Sequence, residues 1–250
     1  MGNRSRTTSK TSLLTIEAIR DLEGATLSEI SDHTGIPVST LHTHLGTLRE
    51  MEYVVREGDV YQLGMKLFHL GEQARWRDER YQIVKERAWN LSNRVGEEVS
   101  FAIKENDRMV ILFDETTTPS DEGFQVGRYF DLHSSACGKA TLAELPESRV
   151  DGFVDRYGLP AHTDNTITDR DALHEELETI RKRGYAVNAQ EELEGLRAVA
   201  IAIEEPDGSV FGTLDISGPP YRLPEDEVVA ERLRSTVADV EAALEDYEQG

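Results

Sequence analysis

Cross-linking residues are nearly absent from this sequence. Cys137 is its only cysteine, which excludes an internal disulfide and any multi-cysteine zinc site. No apolar run is long enough to span a bilayer and no secretory signal pattern is present, so a soluble, cytoplasmic protein is expected. Lysine is scarce as well, with six in 250 residues. Against 27 Lys+Arg stand 48 Asp+Glu, a formal net charge of −21, which argues against a chain that binds nucleic acid through bulk positive charge. An acidic, lysine-poor surface is what an organism with molar internal salt favours; an ordinary acidic bacterial-type protein is the alternative.

What is present is unevenly placed. The length allows two domains or one large one. Residues 1–75 carry a net charge of −2 and residues 76–250 carry −19. His33, His42, His44 and His69 also fall in the first part. The acid load is therefore kept away from the N-terminal third.

That third is organised around Thr26–Leu63. Thr26 and Glu29 have capping-box spacing, Leu27 and Ile30 give the buried face of a short helix, and Gly35 stands where a helix ends with positive φ. Pro37 suits the start of a second helix. There Leu41, Leu45 and Leu48 repeat at i, i+4, i+7, turning Ser39, Thr40, His42, Thr43 and Thr47 outward. Tyr53–Arg56 and Val60–Leu63 are β-prone runs around Glu57-Gly58-Asp59, a hairpin. Helix, turn, helix, hairpin is the winged helix-turn-helix arrangement, whose second helix fits a DNA major groove. Short hydroxyl and imidazole donors suit phosphates and base edges, with Arg56 on the wing approaching phosphate. A protein-interaction module is the alternative.

Residues 1–11 are polar, with Arg4, Arg6 and Lys10, and read as a disordered terminus or a basic arm. Ser12–Leu22 supplies a first helix through Leu13, Ile16, Ile19 and Leu22. After the hairpin, Leu63, Leu67, Leu70 and Ala74 form one stripe that joins domains and helps dimerise. A further helix runs from about Asp78 to Val95 with Ile83, Ala88, Trp89 and Leu91. The domain boundary is placed between Gly71 and Glu79, giving residues 1–72 and 73–250.

Beyond it, strands are expected at 99–103 and 109–113 around an Asn106-Asp107 turn, and at 185–188, 198–203 and 210–216, with Asp207-Gly208 turning the last pair. Helices are expected from Ser135, over 150–157, from Thr168 to Arg183, and from Glu225 to Tyr247; Thr116–Gly123 reads as a polar loop. The fold class is α+β, with antiparallel strands and helices between and after them.

Ser39-Thr-Leu-His42, Tyr61-Gln-Leu-Gly64, His133-Ser-Ser-Ala-Cys-Gly-Lys-Ala140, Thr166-Ile-Thr168, Ile180–Tyr185, Glu191-Glu192, Gly195-Leu-Arg197 and Ile216-Ser-Gly-Pro219 occur in that order. Together they resemble the IclR family of transcriptional regulators over nearly the whole chain. The resemblance implies a winged-helix domain, a linker helix and a GAF-like effector domain. It further implies a homodimer or dimer of dimers on a palindromic double-stranded DNA operator, switched by a small metabolite of a catabolic pathway. Effector contacts carried over from the family fall on Ala136, Cys137, Asn188, Ala198, Asp215 and Ser217. Here Asn188 stands where the family has Asp, Ala198 where it has Cys, and Asp215 where it has Ser; Thr43 replaces an Arg found in many relatives.

An ionised Asp215 repels an anion by about 4 kcal/mol at roughly 4 Å and an effective dielectric near 20. It suits ligand hydroxyls or amines instead, so a neutral hydroxylated metabolite is expected in preference to glyoxylate or pyruvate. Arg197, if it neutralised Asp215, would rescue an acidic ligand; Asp215 bonded to Lys139 or a backbone amide is the purely structural alternative. Two other functions weigh against the regulator. An enzyme would use Cys137, four residues after His133 and near a helix N-terminus, as a nucleophile. A non-specific architectural DNA protein would need a basic surface. Neither an enzyme, a cofactor nor a metal is expected, His42 and His44 lying on different helix faces.

Overall fold

A computed structural model describes residues 7–116 and 126–249 of the chain. The chain divides between Arg77 and Asp78 into two units.

The first unit begins with α1 (Thr7–Asp21), a two-residue strand β1 (Ala25–Thr26), α2 (Leu27–Thr34) and α3 (Val38–Glu50). The hairpin β2 (Val54–Glu57) and β3 (Val60–Leu63) follows, then α4 (Met65–Arg75). The expected capping box forms: Thr26 Oγ1 accepts from Glu29 N, and Glu29 Oε2 accepts from Thr26 N at 2.7 Å. Gly35, at φ 69°, closes α2 in the left-handed conformation. Across the turn Ser31 Oγ donates to Ile36 O at 2.7 Å, fixing the angle at which α3 starts. Leu41, Leu45 and Leu48 pack with Ile19, Ile30, Val54 and Tyr61 in one core. β1 pairs with β3, so the sheet order is β1-β3-β2, a third strand that two residues of sequence could not announce.

Two expectations for α1 are corrected. The helix starts at Thr7, so residues 7–11 are helical rather than a disordered terminus, while Arg4 and Arg6 lie outside the described residues. Its buried residues are Thr15, Ala18 and Ile19, and Leu13 is exposed. Thr15 is accommodated because its hydroxyl donates to Thr11 O at 2.8 Å. No residue of α4 is buried, and Met65, Phe68 and Leu70 of this helix are exposed, as is Leu63 just before it.

The second unit opens with α5 (Tyr81–Val95), whose buried stripe is Tyr81, Val84, Ala88 and Leu91; Trp89, expected inside, is exposed. Strands β4 (Glu98–Glu105), β5 (Arg108–Glu115), β6 (Tyr129–Asp131), β7 (Ala186–Ala189), β8 (Arg197–Glu204) and β9 (Val210–Gly218) form one antiparallel sheet in the order β6-β5-β4-β9-β8-β7. Helices α6 (Ala136–Ala143), α7 (Glu147–Tyr157), α8 (Arg170–Arg183) and α9 (Asp226–Gln249) complete it. β6 was not anticipated, being three residues long, and the expected polar loop at 116–123 lies beyond Thr116 outside the described residues.

Strand register separates the sheet into two chemically different faces. Phe101 and Phe211 meet Tyr81 of α5 and Phe113 stacks on Phe101, with ring centroids 5.5–6.0 Å apart. Gly212 is required there, since a Cβ would drive into the Phe101 ring. On the other face Asp114, Ser100, Asp215, Ala200 and Ala186 lie in one row across five strands. Glu98, Ser217, Ala198 and Asn188 form the next row. The small alanines let α6 sit close. Gly138 completes that approach, because a Cβ would strike the Leu132 backbone.

Candidate functional site

In the first unit the candidate face is the outer side of α3. Ser39, Thr40, His42 and Thr43 are all exposed, opposite the buried leucines. Pro37 precedes the helix and no side chain caps it; Thr40 N bonds back to Pro37 O at 2.9 Å, so the N–H groups of Val38 and Ser39 remain for water or an anion. Thr43 donates to Ser39 O at 3.3 Å, which orients its methyl and leaves its lone pairs outward. His44 is committed elsewhere: its Nδ1 lies 2.8 Å from Ser12 Oγ, tying α3 to α1. On the wing, Arg56 pairs with Asp59 at 2.7 Å and stacks on Tyr61 at 5.4 Å. That exposed ion pair is weak and exchangeable for a phosphate.

In the second unit the candidate site lies where α6 crosses the polar rows of the sheet. Ser135 caps α6, its Oγ accepting from Gly138 N at 3.1 Å, and this places Cys137 over β9. Cys137 Sγ donates to Asp215 Oδ2 at 3.0 Å. Asp215, Asn188 and Ser217 are 1%, 0% and 0% exposed. Asp215 Oδ1, Asn188 Nδ2 and Ser217 Oγ nevertheless have no hydrogen-bond partner. Such atoms are costly to bury and rare, and these three lie in two consecutive rows of one sheet face. The amide of Asn188 is oriented: its Oδ1 accepts from Glu191 N at 2.8 Å, leaving Nδ2 as the free donor. Ala136 and Ala198, both buried, add apolar surface and no polar atom.

Burial dominates the electrostatics. It pushes the Asp215 carboxyl up to about 7, with the charge of Glu98 adding and the Cys137 donor opposing. Asp114 is pushed up to about 9 by burial, its hydrogen bond with Glu98, and the charges of Glu98 and Asp215; the Ser100 hydroxyl opposes. The Cys137 thiol rises well above its ordinary value through burial and the adjacent carboxylate.

The six carried-over positions are thus all buried in this unit, and the register joins Asn188, Ala198 and Ser217 in one row with Asp215 in the next. Glu98, Ser100 and Asp114 were missed. Their signal was present in Glu98 and Ser100, polar residues two apart at the apolar start of β4, but only the register reveals that Ser100 pairs with Asp215 and Glu98 with Ser217. Arg197 does not neutralise Asp215, pairing instead with Asp226 at 2.5 Å, and Lys139, offered as a hydrogen-bond partner of Asp215, is fully buried and pairs with Glu191 at 2.5 Å. His133 does not reach Cys137 either: its Nε2 meets Pro160 O at 2.9 Å and its Nδ1 has no hydrogen-bond partner. A thiol held protonated and donating to a carboxylate is a poor nucleophile.

Residues 15–58 match the IclR helix-turn-helix domain, and residues 81–242 match the family described as bacterial transcriptional regulator IclR C-terminal. The chain belongs to the IclR family. It is 31% identical to the transcriptional repressor IclR of Escherichia coli, over 85% of this chain and 80% of that one. Its identity to the "Probable HTH-type transcriptional regulator ArcR" of Halobacterium salinarum is 29%, over 86% and 84%. The crystal structure of the Thermotoga maritima IclR superposes with a TM-score of 0.79 at 27% identity, covering 96% of this chain and 99% of that one. As an IclR-family regulator the chain combines a helix-turn-helix DNA-binding domain with a C-terminal effector-binding domain. No described helix is long and apolar enough to cross a membrane.

Proposed function

We propose that α3 reads a palindromic operator through Ser39, Thr40, His42 and Thr43, with Arg56 on phosphate, and that the α6–β9 cleft binds the effector. Ala136, Cys137, Asn188, Ala198, Asp215 and Ser217 are its contacts. The observation that carries the effector assignment is the trio of unpartnered buried atoms on Asp215, Asn188 and Ser217. The functional division runs 1–72 for DNA and 73–250 for effector and assembly. The protein works in the cytoplasm on genes of a catabolic pathway and has no enzymatic role.

The working unit is a homodimer or a dimer of dimers. Supporting this, Met65, at 83% exposure, and Phe68, at 68%, leave α4 with apolar surface uncovered in a single chain. The preferred effector is a neutral hydroxylated metabolite such as a sugar. With Arg197 and Lys139 both engaged elsewhere, Asp215 retains an acceptor for a ligand hydroxyl and repels a 2-oxo acid. Calorimetric titration of the full chain with neutral sugars and with pyruvate and glyoxylate tests it. Tight binding of a 2-oxo acid with no response to any sugar would refute the effector reading.

A further inference from the structure

The cleft contains a hydrogen-bonded pair whose two ends face different partners. Asp215 offers Oδ2 to the Cys137 thiol at 3.0 Å and keeps Oδ1 free. What surrounds it from each packed element is acidic or neutral. β4 presents Glu98 and Ser100, β5 presents Asp114 beyond Ser100, β8 presents Ala200, and α6 presents Cys137. The nearest buried cation on α6, Lys139, is spent on Glu191 at 2.5 and 2.7 Å. On the same face, in the next row, stand one donor, Asn188 Nδ2 on β7, and one group able to donate or accept, Ser217 Oγ on β9.

We propose that effector binding in this cleft is proton-linked through Asp215. A ligand whose O–H or N–H donates to Oδ1 is held by the ionised carboxylate, and the proton Asp215 carried leaves to solvent. A ligand that presents an anionic oxygen at the same place is held only by the protonated acid, whose O–H then donates to it. The cleft therefore favours a ligand whose hydroxyl or amine meets Asp215 and whose second acceptor, farther along the ligand, takes the Asn188 N–H two strands away. Burial that brings the Asp215 carboxyl near neutrality makes both proton states accessible. The inference rests on reading the cleft as the effector site.

Because Cys137 is the only cysteine, its S–H stretch is a single infrared band and reports directly on the carboxylate it touches. The full chain is titrated from pH 5.5 to 8.5, alone and with D-glucose, D-galactose and glycerol as neutral probes and pyruvate and glyoxylate as anionic ones. Binding is followed separately by Tm. The expected result is a band that shifts with a midpoint near neutral pH and no shift with pH in either Asp215→Asn or Asp215→Ser. A neutral probe that raises Tm should lower the midpoint, by about one pH unit for each tenfold preference for the ionised form. A band indifferent to pH in the wild-type chain overturns the linkage. A midpoint raised by a bound neutral probe does so too. A probe that raises the Tm of wild type and both variants alike, with the band unmoved, binds outside the cleft and overturns the site reading instead.

Discussion

Among described residues, the winged unit buries one polar side chain, Thr15, whereas the effector unit buries Glu98, Ser100, Lys139, Asn188, Glu191, Asp215 and Ser217 among others. The first unit keeps its chemistry on the outside of a helix whose inner face is all leucine. The second places its chemistry inside, between a helix and a sheet, where each unsatisfied atom costs stability. A rigid face for a large flat partner needs only a firm backing. A small ligand needs enclosure, and enclosure puts polar groups where solvent cannot serve them.

The comparison can be broken at its strongest points first. Leu67→Asp puts a charge on the α4 surface proposed to be covered in a dimer. It should abolish binding to a two-half-site operator, with the effector unit still folded by circular dichroism. A wild-type monomer that binds one half-site tightly would contradict this. Gly138→Ala forces a methyl onto the Leu132 backbone and should destabilise the effector unit by roughly 1–3 kcal/mol or more, seen as a lower midpoint in urea; an unchanged midpoint would show that α6 is free to shift. Thr40→Ala and His42→Ala should each relax preference at one half-site position, costing on the order of 1–3 kcal/mol where the contact reads a base. Unchanged affinity for every sequence would remove α3 from the groove. The smallest effect is electrostatic: with hydroxyls and imidazoles on the reading face, roughly two to four phosphates neutralised per subunit give a shallow salt slope, near −0.9 for each. A slope near −10, that of a strongly basic repressor, would contradict it.

The two units also differ in how much of them is legible in the sequence. The capping box, Gly35, the leucine stripe of α3 and the hairpin are local, each set by residues within a few positions of one another, and all stand where the spacing puts them. Failures there came from short or ambiguous pieces, the two-residue β1 and an α1 whose Thr15 is inside and Leu13 outside. In the effector unit every strand but the three-residue β6, and the Asn106-Asp107 turn with both residues at positive φ, were legible for the same reason. The site itself was not. Asp114 faces Asp215 only because β4 lies between β5 and β9, a pairing of strands about a hundred residues apart in the chain. Likewise Arg197 follows strand β8 toward Asp226, away from Asp215, which no local spacing encodes.

That the effector unit holds a costly buried carboxylate for ligand use is tested most directly by comparing wild-type and Asp215→Asn stability from pH 5 to 8. The folded pKa of Asp215, about 7, lies above its ordinary value of 3.8. The folded state therefore holds the extra proton between those values. The stabilisation is complete below the lower value and is lost as pH rises through the upper one. Asparagine mimics the protonated acid and suffers no such loss. The account predicts that the variant gains on wild type by a few kcal/mol as pH rises toward 7, then keeps a constant lead. A stability difference that stays flat across the whole range would contradict it.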